Sequence, residues 1–416
     1  MARRRHRPDS AVVEGARSSG YSPGVRVLML SWDFPPRVTG GTAAHVHGLS
    51  QALADAGHDV VVLTPSSHRS ASTPEHVGGV RVLRADVGLP HIPEGRRLAI
   101  AASANHALTQ LMTDVDSPLA GWVPDIVHGH DWRIGWAADT IARLHGAPFI
   151  LTMHGTERVR HGGNLPEGDP TDINSIEWWL AFRADRLIAS TRFMVDQLVT
   201  TFELAPEQVV RVPNGIDPAL WAGHDRPTDR EPLVVSWGRV QYEKGFQVLA
   251  RAMTAVRHRI PEVSCVIAGR GSYLPELQTQ IDVEGVSDLI ELPGFLSDEA
   301  LRHLVQRAGC VVLPSLYEPF GLVALEALAA GAPLIVARTG GLAELIVGTD
   351  AGLTFEPGNP DDLAHCVELL LRDKRLSHQL TTNARRLIET KYAWDAIGAS
   401  VVNVYDAAVM LRARST

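Results

Sequence analysis

The feature that most limits what this chain can fold into is a rhythm of short apolar runs separated by amphipathic stretches, played through twice. VRVLML at 25–30 is almost continuously apolar, and HDVVVLTP (58–65), DIVHGHD, APFILTMHG and DRLIAST follow it through the first half. Runs of that length suit strands buried on both faces. Between the first two lies TAAHVHGLSQALADAG, apolar near helical spacing and ending at Gly57. Strands alternating with helices predict a parallel sheet with right-handed crossovers. The rhythm breaks at NGIDPALWAGHDRPTDREP (214–232), which is rich in Pro, Gly and Asp and reads as a linker. It restarts with PLVVSWG, FQVLARAMTAVRHRI, VSCVIAG, IELPG, CVVLPS and APLIVA. The expected fold class is α/β, with two doubly wound domains whose strand C-termini face a central cleft.

The expected units are residues 25–220, residues 232–394, and a helix over 395–416 that belongs to the second domain or crosses back to the first. A chain of 416 residues exceeds one ordinary core and suits two. Residues 1–24 begin MARRRHRPDS, lack the apolar core of a signal peptide, and are expected to form a disordered tail. A formal net charge of −8 argues against a nucleic-acid partner. No run of about 18 apolar residues occurs, so no membrane span is expected. Cys265, Cys310 and Cys366 have no paired spacing and read as reduced thiols of a cytoplasmic protein.

The most informative stretch is SLYEPFGLVALE, Ser315 to Glu326. It follows an apolar run, turns at Pro319 and Gly321, and enters a helix-like run. A strand, a tight loop and a helix start offer free backbone N–H groups at Phe320, Gly321 and Leu322 to an anion. Eight residues of helix rise about 12 Å, so Glu318 and Glu326 read as clamps at two ends of a long ligand rather than partners on one bond. A glycoside hydrolase would need carboxyl groups about 5–9.5 Å apart.

Other candidates sit at strand ends. Gly40–Gly41, between the first strand and first helix, would let a diphosphate approach the backbone, or would merely make a flexible turn. Arg239 and Lys244, in GRVQYEKG, could neutralise a departing diphosphate. Gly269 and Gly271 form a GxG that falls short of the dinucleotide fingerprint because Leu274 replaces the third glycine. Gly269 would leave room for a nucleotide base or phosphate, or would only shape the turn. His128, His130 and Asp131 cluster in VHGHDW, yet no third ligand at a helpful spacing supports a metal. One of these side chains is expected to face the cleft and the rest to be packed. His154 ends FILTMHG and is a substrate contact or a satisfied structural histidine. Asp114–Val115–Asp116 reads as a solvated loop rather than a metal-holding pair. No metal or other cofactor is expected, so cations and helix N-termini must carry the diphosphate charge.

Taken in order, SWDFPPRVTGG with HVHGLSQALADAGHDVVVLTP, VHGHDW, LTMHG, VPNGID, GRVQYEKG, SLYEPFGLVALEA and TGGLAEL resemble the retaining glycosyltransferases of family 4, with glycogen-synthase-like features. The resemblance covers residues 25–410. It implies a GT-B fold of two Rossmann-like domains, with a nucleotide diphosphate sugar (UDP-, ADP- or GDP-linked) as donor. It implies diphosphate binding by amides after Gly40–Gly41 and at Gly321–Leu322, with Arg239 and Lys244 stabilising the leaving nucleotide. Glu326 would bind ribose hydroxyls, Glu318 would touch the donor sugar, and His154 would lie beside the anomeric centre. Asp131 and Asn214 are the acceptor or cleft candidates. The acceptor would be a carbohydrate, such as an α-glucan, or a small molecule, thiol or lipid. One departure stands out. Bacterial glycogen synthases usually read Lys-x-Gly-Gly-Leu in the first loop, whereas here it is Val38-Thr39-Gly40-Gly41-Thr42, with Arg37 before it. That leaves donor identity and polymer extension open. A non-catalytic sugar-nucleotide sensor would have lost Arg239, Lys244 or His154, and all three are present.

Overall fold

The computed structural model describes residues 24–37, 41–66, 74–87, 95–161, 163–221 and 230–415. Gly40 and the tail expected over 1–24 lie outside these residues, except for Gly24. The first domain carries β1 (Arg26–Leu30), β2 (Asp59–Ser66), β3 (Glu75–Val77), β4 (Val80–Asp86), β5 (Ile126–His130), β6 (Phe149–Met153), β7 (Arg186–Ala189) and β8 (Val209–Arg211). They form one eight-stranded sheet in the order β3-β4-β2-β1-β5-β6-β7-β8, parallel except for the edge strand β3. The second domain carries β9 (Glu231–Trp237), β10 (Ser264–Ala268), β11 (Ile290–Gly294), β12 (Ala308–Leu313), β13 (Leu334–Ala337) and β14 (Leu353–Phe355). Its six-stranded parallel sheet runs β11-β10-β9-β12-β13-β14. The α/β, doubly wound reading of the sequence is borne out.

The apolar runs earn both faces. In β1, Leu28 and Leu30 enter one core cluster while Val27 and Met29 enter another on the opposite side of the sheet. In β9, Leu233, Val235 and Trp237 pack on one side and Val234 on the other. A strand with period two and helices on both sides needs apolar residues at every position.

Strand order also locates the site. In the first sheet the chain winds outward from β1 through β2 and β4, then returns to β5 on the other side of β1. In the second it winds from β9 through β10 to β11, then returns to β12. Each reversal opens a crevice beyond the strand C-termini, where α/β sheets bind ligands.

The last helix, Trp394–Ser415, leaves the second domain and packs along helix Gly41–Asp55 of the first. Ile397, Val401, Val402, Val404, Tyr405 and Ala408 join the first domain's core. Trp394–Arg414 is the one described helix long and apolar enough to cross a membrane by length and composition, and these buried residues account for much of that apolarity. The two crossings run side by side: the Ile216 N–H donates to the Tyr392 carbonyl at 2.8 Å, and Ile216 bridges to Ala393. The segment read as an irregular linker also holds a short helix, Pro218–Trp221.

Trp394 fills a notch cut by two glycines. A Cβ on Gly48 would stand 2.1 Å from its ring, and one on Gly215 would stand 2.5 Å away. Gly48→Ala is expected to lower stability by about 1–3 kcal/mol through overpacking. Gly95→Ala, with nothing within 4 Å of the added carbon, should stay within about 0.5 kcal/mol of the parent. Denaturant melts of the two variants check this; equal midpoints would remove the notch as a determinant.

Candidate active site

The first-domain wall is a group of histidines at the ends of β5 and β6. His128 is fully consumed by structure: Nδ1 meets the Tyr405 hydroxyl at 2.8 Å and Nε2 meets Thr152 Oγ1 at 2.7 Å. His130 Nδ1 lies 3.3 Å from His154 Nε2. The His154 N–H donates to Asp131 Oδ1 at 2.8 Å. Asp131 itself holds φ of 63°, a left-handed conformation uncommon outside glycine and often found at functional sites. His45, on helix Gly41–Asp55, presses its ring edge on His154 at 4.8 Å and on Trp394 at 5.6 Å between centroids. Asn214 is buried beside His45, and its Oδ1 finds no hydrogen-bond partner among the described residues.

Burial keeps these imidazoles neutral. Desolvation, helped by the Arg160 charge, pushes His154 down to about 4. His45, His128 and His130 are driven well below the ordinary histidine value, first by burial and then by neighbouring histidines, His154 acting on all three. A neutral ring at His154 can accept or donate a hydrogen bond to a sugar hydroxyl without opposing positive charge on a sugar ring. His45, His130 and His154 bring ring nitrogens within 4.8 Å of one another, a donor set that could take a zinc-like ion. It differs from the His128, His130 and Asp131 grouping visible in the sequence, because His128 is turned into the core.

The second-domain wall is built on the loop between β12 and helix Leu322–Ala329. Gly321 takes φ of 94° as the residue before the helix, and a Cβ there would meet Leu342 at 2.5 Å. The sequence reading placed both acids on helical rise; here Glu318 lies in the loop, four residues before the helix, because Pro319 and Gly321 delay its start. Lys244 Nζ donates to Glu318 Oε2 at 2.6 Å, so two residues assigned separate duties form one ion pair. Trp237 Nε1 donates to Glu326 Oε2 at 3.1 Å. Burial raises Glu326 to about 7, against the pull of that bond. Phe320 buries its ring in the core, leaving only its backbone for a ligand. Gly269 is required by close backbone approach: a Cβ there would stand 1.8 Å from the Gly238 carbonyl oxygen. Arg239 is exposed and makes no ion pair among the described residues.

The walls meet. A Cβ on Gly41 would lie 2.3 Å from Leu322 Cδ1, so the N-termini of the 15-residue helix Gly41–Asp55 and the eight-residue helix Leu322–Ala329 approach across the cleft. Thr191 Oγ1 accepts the Met194 N–H at its own helix start and donates to the Pro319 carbonyl at 3.0 Å, tying the domains at the loop. Arg211 and Glu344 pair beside it at 2.6 Å. Arg37, the basic residue before the first glycine loop, is taken up by Asp33 at 3.1 Å.

Sequence reasoning did not single out His45, Arg133, Glu157, Arg160 or Glu177. Glu177 is buried, accepts the Glu157 N–H at 2.9 Å, and is pushed to about 8 by desolvation. The ERVR run after LTMHGT was the one available signal.

Residues 40–215 match a glycosyl transferase 4-like domain and residues 224–387 match the glycosyl transferases group 1. The chain is 35% identical over 402 residues to a glycogen synthase of Mycobacterium tuberculosis, covering 92% of this chain and 95% of the relative. It is 28% identical over 388 residues to a D-inositol 3-phosphate glycosyltransferase of Arthrobacter sp., covering 89% and 90%. Among solved structures it resembles sucrose-phosphate synthase from Thermosynechococcus elongatus, with a TM-score of 0.78 at 23% identity, covering 93% of this chain and all of that one. The fold and cleft are those of a glycosyltransferase of GT-B architecture. The chain belongs to the group 1, family 4-like glycosyltransferases, on their glycogen-synthase-like side.

The raised Glu326 makes ligand binding pH-dependent if its carboxylate accepts hydroxyl protons. Protonation below about 7 removes that acceptor, so nucleoside diphosphate affinity should rise as pH climbs from 6 to 8. His154, neutral above about 4, should contribute no step in that range. Calorimetric affinities across pH, repeated on Glu326→Gln, check this; a slope retained in the variant would assign the effect elsewhere.

Proposed function

We propose that the protein transfers a hexose, glucose in the simplest case, from a nucleotide diphosphate sugar to an acceptor hydroxyl with retention of anomeric configuration. The observation that carries this reading is the convergence of Lys244, Glu318 and two helix N-termini on one cleft. Breaking the sugar–phosphate bond builds negative charge on the diphosphate. Pre-placed cations and helix-terminal amides stabilise that charge without reorganising. Lys244 and Arg239 serve the departing nucleotide, and Glu326 the ribose. Glu318, held by Lys244, and neutral His154 face the sugar. The acceptor hydroxyl attacks on the face from which the diphosphate leaves, so no protein nucleophile is required. Domain closure excludes water and limits donor hydrolysis. The reaction belongs in the cytoplasm, where nucleotide sugars are made, and calls on no bound cofactor.

Two acceptor readings have support. Likeness to a glycogen synthase favours the end of an α-glucan chain. The relative named for inositol 3-phosphate, together with the altered first loop, favours a small polyol or sugar.

A panel of UDP-, ADP- and GDP-sugars scored for nucleotide release, with glycogen or small sugars as acceptor, tests the reading directly. Release with no member of the panel would defeat it. Lys244→Ala should lower kcat by about 10²–10³-fold. Glu326→Ala should weaken nucleotide binding about 10-fold or more. Wild-type nucleotide affinity in the second variant would remove the ribose assignment.

A further inference from the structure

Three histidines from three elements meet at the floor of the cleft. His45 stands on helix Gly41–Asp55, His130 ends β5 and His154 follows β6. Their ring nitrogens lie within 4.8 Å of one another. His130 Nδ1 and His154 Nε2 are 3.3 Å apart. Two nitrogens on one tetrahedral zinc ion, each bonded at about 2.0–2.1 Å, stand about 3.3 Å apart. Two of the three rings therefore already span one edge of a zinc tetrahedron. His45 completes the set by a shift of about 1.5 Å or less, within the broad torsional range of a histidine ring.

Other polar atoms of the cluster lack partners. Neither ring nitrogen of the buried His45, nor Nε2 of the buried His130, sits at hydrogen-bond geometry to any described residue. Asn214 lies close enough to His45 to act on its charge, and its buried Oδ1 is unpartnered as well. Buried polar atoms left in this state point to a ligand that sits against them. His128 is closed to a metal, since Tyr405 and Thr152 hold both its ring nitrogens. The three remaining rings are neutral, the form that ligates. Three imidazoles leave a tetrahedral ion one open position. His154 is the partly exposed member, so that position faces the cleft, where water completes the shell.

We propose that His45, His130 and His154 form an inhibitory site for a divalent transition-metal ion of the zinc class. The inhibition rests on the transferase reading above; the binding does not. An ion held there takes the His154 nitrogen away from the donor sugar. It also sets two positive charges beside a sugar ring that turns positive as its bond to phosphate breaks, in buried surroundings where that repulsion is strong. Magnesium, which prefers oxygen ligands, does not suit the site.

The test uses the full chain as parent, His45→Gln, His130→Gln and His76→Gln, the last an exposed histidine on the edge strand β3. Zn²⁺ is titrated by calorimetry, and Co²⁺ serves as its spectroscopic stand-in. The parent should show the visible absorption of four-coordinate Co²⁺, and Zn²⁺ should abolish it. His45→Gln and His130→Gln should lose that absorption and weaken Zn²⁺ binding about tenfold or more, while His76→Gln behaves as the parent. In the parent alone, a saturating nucleotide diphosphate sugar should weaken Zn²⁺ binding, because both claim His154. Sugar transfer should be inhibited by Zn²⁺, restored by a chelator and unaffected by Mg²⁺. Absence of four-coordinate Co²⁺ absorption in the parent, or its survival in both cluster variants, overturns the proposal. Zn²⁺ affinity untouched by the nucleotide sugar overturns the placement at His154. Metal bound as expected, with no sugar transferred to any acceptor, would instead defeat the transferase reading and keep the site. Transfer undiminished with Zn²⁺ present would do the reverse.

Discussion

The architecture depends on how two sheet edges are held face to face. Each doubly wound sheet presents a crevice at its own reversal point, and neither crevice alone can enclose a long ligand. The double crossing at Ile216 and Ala393 fixes their relation at one end, with Trp394 sunk between Gly48 and Gly215. Thr191 on Pro319 and Arg211 on Glu344 hold the other. Trp394 also touches His45, so the structural pivot and the floor of the cleft share a side chain contact. The last helix continues from that point to Tyr405, whose hydroxyl meets His128 Nδ1 and fixes the orientation of that ring.

The two walls solve different electrostatic problems. The second domain assembles charge where the diphosphate would sit: a lysine, an exposed arginine and a helix start, with Glu318 holding Lys244 in place. The first domain removes charge from the centre by burying four imidazoles that crowd one another. Farther out it carries three arginines, of which Arg97 and Arg160 share the buried Glu157. Across the cleft the charged groups thus run from Lys244 and Arg239 through neutral imidazoles to Arg97, Arg133 and Arg160.

Much of the fold was legible because it rests on local periodicity. Near-continuous apolar runs of five to eight residues suit strands covered on both sides, and their alternation with helices leaves few topologies. The loop at Glu318–Gly321 was legible for a similar reason: proline and glycine constrain the backbone regardless of context. The same reasoning misjudged side chains. It set both acids on helical rise, whereas Pro319 and Gly321 delay the helix beyond Glu318. It grouped His128 with His130 because they are two residues apart on one strand, while Tyr405 and Thr152 draw His128 away.

The sequence by itself determined the two-domain α/β class, the places of the strand ends and the Pro319–Gly321 turn before its helix, since all three follow from interactions within a few residues. Tertiary structure alone decided which charges cancel. Lys244 and Glu318 are 74 residues apart, Arg97 and Glu157 are 60 apart, and no local pattern pairs them. It alone set Arg133 beside the Trp32 and Trp132 rings with no ion pair among the described residues, and it alone lowered His154 and raised Glu326. Desolvation and Coulomb energy depend on distances in space, and those are set only when the sheets have folded and met.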